Sequence, residues 1–196
     1  MSGSNEGFGS IGHLAVRFFG SLRPGGPPPA DDAWAMAQLL PGEQELWVAM
    51  SGPDRRHAVG VARDAIALLA GDGAGTPPRA VVAAALLHDV GKITSGLGTW
   101  ARAGVTVVAM VAGRDRVASW APPPGGADHG AGPDGGRGRR SAAGAYVTHD
   151  RIGAHLLRTA GSDELTVAWA GEHHLPATAW TLERRLADAL KAADGD

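Results

Sequence analysis

The sequence predicts an all-α fold, and three observations carry the prediction. Alanine and glycine dominate while aromatic residues make up only 5% of the chain, which favours helices packed through small side chains over a β-sandwich of aromatic and β-branched strands. Apolar residues recur at three- and four-residue intervals in successive segments, the period of a helix with one buried face. Proline- and glycine-rich stretches separate those segments and supply helix starts and stops. With 196 residues, 44% of them hydrophobic, the chain suits one domain with a sizeable core.

Residues 1–10 are Gly/Ser-rich and are expected to be disordered. Residues 11–19 form a short amphipathic helix carrying His13, most simply a surface residue, and the run Arg23-Pro24-Gly25-Gly26-Pro27-Pro28-Pro29 breaks it. Asp31 and Asp32 offer an N-cap for a helix through residue 40, and Pro41 with Glu43 and Glu45 starts another that ends near Met50. Both read as scaffold. Ser51-Gly52-Pro53-Asp54 is a turn with a capping residue, and residues 55–70 are helical with His57, Val61, Ala65 and Leu68 on one face. After a loop over 71–78, residues 79–90 form an apolar helix that runs into His88-Asp89, just before Gly91, a residue able to stop it.

Residues 96–120 have helical composition with breaks. The stretch 121–141, rich in Pro and Gly, is expected to be a flexible insertion that packs no core and leaves His129 solvated. Helix resumes over 142–160 and changes direction near Thr148, with His149, Ile152 and Leu156 facing inward and His155 turned away. Ser162-Asp163-Glu164 caps a helix over 165–174, stopped by Leu175-Pro176. A last helix over 181–193 carries Leu182, Leu186 and Leu190 on one stripe.

Composition narrows the partners. A net charge of -2 lacks the basic excess that binding a duplex through its phosphates requires. The absence of cysteine excludes disulfides, thiolate metal sites and thiol nucleophiles, and points to the cytoplasm. No signal peptide is visible. The longest uncharged apolar run, residues 103–113 between Arg102 and Arg114, is too short to span a bilayer and reads as a buried or lid-forming helix rather than a membrane-surface one. Association into an oligomer is compatible with this composition.

Chemistry concentrates at the histidines. Asp is among the residues least often buried without a partner, so Asp89 behind an apolar run calls for a cation or a strong hydrogen-bond network. His57, His88, His149, His173 and His174 fall on the inward faces or ends of four successive helices, alongside Asp89. Imidazole and carboxylate suit Fe, Mn or Zn, and a set this large exceeds the four ligands of a structural zinc, which implies two metals sharing a carboxylate, Asp89. In the last helix Asp194 continues the leucine stripe while Asp188 lies with Arg184, Arg185 and Lys191 on the polar side, so Asp194 is preferred as a further ligand and Asp188 is the alternative. Arg55 and Arg56, next to His57, could reach a substrate phosphate or simply be a solvated helix start.

His57, then His88-Asp89 in Leu-Leu-His-Asp-Val-Gly-Lys, then His149 in His-Asp-Arg-Ile-Gly-Ala-His-Leu-Leu, then His173-His174 and a late Ala-Asp resemble the HD-domain metal-dependent phosphohydrolases. The order is similar to that of the di-metal branch, which includes cyclic-dinucleotide phosphodiesterases. The resemblance covers residue 51 to the C-terminus, with 1–50 as tail and scaffold helices. It implies a helical bundle, one metal on His57, His88, Asp89 and the terminal Asp, and another on Asp89, His149, His173 and His174. It also implies that Lys92 contacts a substrate phosphate and that Asp89 and Lys92 are the catalytic pair. The expected activity is hydrolysis of a nucleotide-type phosphate ester, cyclic dinucleotides included, by a metal-activated water, with two divalent ions, Fe or Mn before Zn, Co or Mg. The alternative is an inactive HD domain that senses a nucleotide or binds a protein. Two departures bear on substrate: Leu-Pro-Ala-Thr-Ala-Trp follows His173-His174 where the cyclic-di-GMP branch has Gly-Tyr-Pro, and Pro53 stands one turn before His57 where a Glu would support a third metal.

Overall fold

The computed structural model describes residues 25–71, 75–95, 105, 112–121 and 135–195. Among them every regular element is helical and no strand occurs: α1 (Pro29–Ala37), α2 (Pro41–Ala49), α3 (Gly52–Gly71), α4 (Arg79–Leu87), a 3₁₀ segment (Val90–Ser95), α5 (Arg114–Ala118), α6 (Gly135–Val147), α7 (His149–Thr159), α8 (Glu164–Glu172), a second 3₁₀ turn (Ala177–Ala179) and α9 (Arg184–Asp194). The expected helix over 11–19 with His13, and most of 96–111 and of the insertion with His129, lie outside the described residues.

Helix α4 is the centre because its sequence leaves it no polar face. Every residue from Val81 to Leu87 is buried, as a helix apolar all round must be. Its alanines let neighbours approach closely, so α3 packs on one side and α8 on another, while α9 packs on α3 and α7 on α8. Trp47, Leu86, Leu87, Leu157, Trp169 and Leu190 fill the core. Burying each leucine stabilises the fold by roughly 1.5–3 kcal/mol. A second, smaller cluster of Val117, Ala143 and Val147 joins α5 to α6, with Trp120 and Tyr146 at its edge.

Several boundaries differ from the sequence expectations. Helix α1 begins at Pro29, so Asp31 and Asp32 lie in its first turn, where carboxylates favour the helix dipole, and not at the N-cap. Helix α3 starts at Gly52; Ser51 caps it, its Oγ accepting the Asp54 N–H at 3.3 Å. Leu69 replaces Leu68 on its buried face, and Leu68 is exposed. Helix α6 begins at Gly135, two residues past Pro133 and inside the stretch expected to stay irregular through residue 141. On α7 the fully buried residues are His149, Gly153 and Leu157, with Ile152 and Leu156 half-buried beside them, because Thr148 breaks the helix and resets its phase. His155 is exposed, as expected.

Ion pairs secure the periphery. Arg79 pairs with the fully buried Glu43 at 3.0 Å and with Asp163, tying α2 and the start of α8 to α4. Arg63 pairs with Asp31 at 2.6 Å, and α1 is further held by Asp32, which accepts from Trp47 Nε1 at 2.9 Å. No described helix is long and apolar enough to cross a membrane.

Candidate metal centre

Helix α4 ends at Leu87, and His88 and Asp89 occupy the turn into the 3₁₀ segment. Gly91 follows, and what it supplies is not a left-handed turn. Its φ is not positive, and a Cβ there would lie 1.9 Å from the His149 carbonyl oxygen and 2.7 Å from the Gly153 nitrogen. The missing side chain lets this backbone cross α7 in direct contact, and Gly153 completes the crossing from the other side. That crossing brings Asp89 against His149.

Two groups of donors result. Asp89, His149, His173 and His174 form one, and His57, His88 and Asp194 the other; in each, one ligand atom per residue lies within 4.8 Å of the others. Asp89 divides its oxygens between them: Oδ1 is 3.2 Å from His149 Nε2 and 3.9 Å from His173 Nε2, while Oδ2 is 3.4 Å from His88 Nε2. Asp194 Oδ1 lies 3.1 Å from His57 Nε2 and 3.5 Å from His88 Nε2. The groups adjoin through the His88 and His173 rings, whose centroids are 5.3 Å apart, edge to face. His88, Asp89, His149, His173 and Asp194 are buried, whereas the His57 side chain is 34% exposed and His174 is exposed. The site therefore has a closed floor and an open side.

Three imidazoles are oriented by the backbone. His88 Nδ1 bonds the Ala85 carbonyl at 2.9 Å, His149 Nδ1 that of Tyr146 at 2.7 Å, and His173 Nδ1 that of Ala170 at 3.1 Å. A carbonyl only accepts, so each Nδ1 carries the proton and each Nε2 is directed into the site, the arrangement that prepares histidine to bind a metal. Lys191 of α9 donates to the His173 carbonyl at 3.0 Å, holding the end of α8 against the helix that supplies Asp194. Beyond it, Glu172 accepts from the Thr181 N–H at 2.7 Å and hydroxyl at 2.6 Å, closing the loop after His174.

The buried carboxylates and the nitrogen groups around them shift one another strongly. Burial would push the Asp89 carboxyl up, but the Lys92 ammonium and then His88 outweigh it and hold it well below the usual carboxylate range. Asp194 is likewise lowered, against its burial, by the His57 hydrogen bond and by His88. Burial disfavours the charged form of His88, yet Asp89 and Asp194 push its pKa up to about 9. His173 goes the other way, down to about 2, because it is buried and beside the positive charge of His88 and His174. It stays neutral, and its Nε2 is buried with no hydrogen-bond partner. A buried lone pair without a donor, 3.9 Å from a carboxylate oxygen, is what a cation between them would satisfy, and the nitrogen and oxygen donors suit Fe, Mn or Zn.

The other candidates are placed as follows. Lys92 is ion-paired to Asp89 and its side chain is 19% exposed, at the rim. Arg55 is bonded to both Asp32 oxygens at 3.0 Å, and Arg56 to the Gly25 carbonyl at 2.7 Å, so both hold the N-terminal segment on α3. Asp188 is exposed and bonded to Arg184 at 2.8 Å, away from the groups that include Asp194. Gly91, Gly153 and Lys191 build the site without being legible as site residues: each acts through backbone atoms, and only the spacing of glycines around His-Asp and His149 hints at the crossing.

No model of a protein family, no curated protein and no solved structure matches this chain. What stands is an all-helical protein with two adjoining His/Asp groups, each able to hold a metal ion.

Proposed function

We propose that the chain is a metal-dependent phosphohydrolase or phosphodiesterase of the HD-domain kind, acting on a nucleotide-type phosphate ester, with cyclic dinucleotides among the substrates to test. One observation carries this reading: the two oxygens of a single buried carboxylate, Asp89, face two different donor groups. A carboxylate so placed suits ligation of two ions at once, Fe or Mn first by the donor set.

A bound metal pair supplies a hydroxide nucleophile at neutral pH and Lewis acidity toward phosphoryl oxygens. His149, His173 and His174 would hold one ion with Asp89, and His57, His88 and Asp194 the other. Lys92, at the rim beside Asp89, would offer its ammonium to a phosphate oxygen. Arg55 and Arg56 would have to exchange their present partners to do the same, so their role in binding substrate is secondary to that of Lys92.

A non-catalytic reading, a nucleotide-sensing or protein-interaction module, is favoured by one feature: Lys92 pairs with Asp89 and His57 with Asp194, so protein groups can themselves balance these carboxylates. Turnover separates the two. Protein reloaded with Mn or Fe is assayed on aryl phosphate mono- and diesters and on nucleotides, beside Asp89→Ala. Metal-dependent hydrolysis by the wild type, abolished in the variant, is expected. No turnover on any phosphate ester supports the module, and full activity of Asp89→Ala contradicts the mechanism.

A further inference from the structure

The chain's one tyrosine stands at this site. Tyr146 lies near the end of α6, half-buried, with its ring stacked on the His149 imidazole at 5.9 Å between centroids and 27° between planes. Its carbonyl accepts the His149 Nδ1–H, so one residue holds that imidazole by both its ring and its backbone. The same side chain packs against the cluster of Val117, Ala143 and Val147. For packing and stacking, phenylalanine would serve as well.

The hydroxyl is what remains unexplained. Among the described residues it makes no hydrogen bond, although a partly buried phenol ordinarily finds a partner. Helix α6 runs against the 3₁₀ segment that carries Lys92, and the phenol lies within electrostatic reach of the Lys92 ammonium. A phenol hydroxyl is a neutral hydrogen-bond donor, here next to a cationic one.

We propose that Tyr146 is a substrate-positioning residue whose hydroxyl, beside Lys92, donates a hydrogen bond to a phosphoryl oxygen held at the His/Asp groups. The proposal rests on the phosphate-ester reading above. Its chemistry asks only for an anionic oxygen, to which such bonds are stronger than those between neutral groups. Stacking on His149 fixes the ring, and the ring fixes where the hydroxyl points.

The test uses zinc-loaded full-length chain, wild type and Tyr146→Phe, with orthophosphate as the probe. Metal content is read by elemental analysis, phosphate affinity by calorimetry, and the phenol by the ¹³Cζ signal of the single tyrosine, which needs no assignment. Phenylalanine keeps the stacking, so metal content is expected to match wild type while orthophosphate binds about tenfold more weakly, the loss of one bond to a charged acceptor. In the wild type the ¹³Cζ signal moves as phosphate is added. Equal affinity of the two proteins, or a ¹³Cζ signal unmoved at saturation, overturns the role of Tyr146 and leaves the phosphate-ester reading standing. A wild type that retains zinc but binds no orthophosphate removes the reading itself, and the role of Tyr146 with it.

Discussion

His88 is held between two carboxylates, and without a cation it answers them by keeping a proton. Burial works against that charge, but Asp89 and Asp194 prevail and its pKa rises to about 9. A metal needs the same Nε2 lone pair, so binding must displace the proton. Loading the metal-free protein at pH 7 is therefore expected to release about one proton from His88, with apparent affinity rising toward pH 9. Calorimetry in buffers of different ionisation enthalpy measures the proton count; affinity flat from pH 7 to 9 would contradict the assignment. The same raised pKa gives a sign for stability. The contribution of His88 to the metal-free fold is fully present below its unfolded value of 6.5 and is lost as pH rises through about 9. The lowered Asp89 and Asp194 contribute above 3.8 and lose that as pH falls. Urea midpoints of chelated protein should fall on both sides of a window between these values. At this scale the imidazoles and Asp89 were legible in the sequence, because acidic and basic side chains at the ends of apolar helices have few other uses. Tyr146 and Lys191 were not, since a ring stacked on histidine and an ammonium on a carbonyl leave no spacing signature.

Helices meet at this site only as closely as their glycines allow. A methyl at Gly91 would collide with the backbone of His149, which cannot retreat without moving α7. Gly91→Ala is expected to destabilise the fold by about 2–4 kcal/mol and to reduce metal retention, because strain at a packed backbone crossing is among the few causes of large mutational losses. Gly60 is the control: it lies inside α3 with nothing within 4 Å of the Cβ position, so Gly60→Ala should stabilise by about 0.5–1 kcal/mol through helix propensity. Urea denaturation of the two variants checks both signs, and a neutral Gly91→Ala would show that the crossing does not matter. Helix existence was legible from periodicity, but several starts differ by one or two turns. Carboxylates at 31 and 32 have the signature of a cap although Pro29 already sets the first turn, and glycine content masks the start of α6. The crossing at Gly91 leaves no mark of its own in the sequence, because a helix stop and a close crossing ask for the same residue.

Across the whole molecule the site depends on the bundle closing. His57 and Asp194, 137 positions apart in sequence, meet at 3.1 Å because α3 and α9 pack together, and α8 reaches the same place by packing on α4. The all-α class was legible from composition; the inward faces of the helices pointed to one shared site, while its division into two ligand sets came only from the family resemblance, since periodicity assigns a face to each helix but no neighbour. Asp89 is the joint between the two groups, so the claim reduces to a count. Elemental analysis of protein reloaded with Mn or Fe and desalted should give close to two metal ions per chain, one for each group, and markedly fewer for Asp89→Ala. A wild type that retains none, or a variant that retains as many as wild type, would contradict the account.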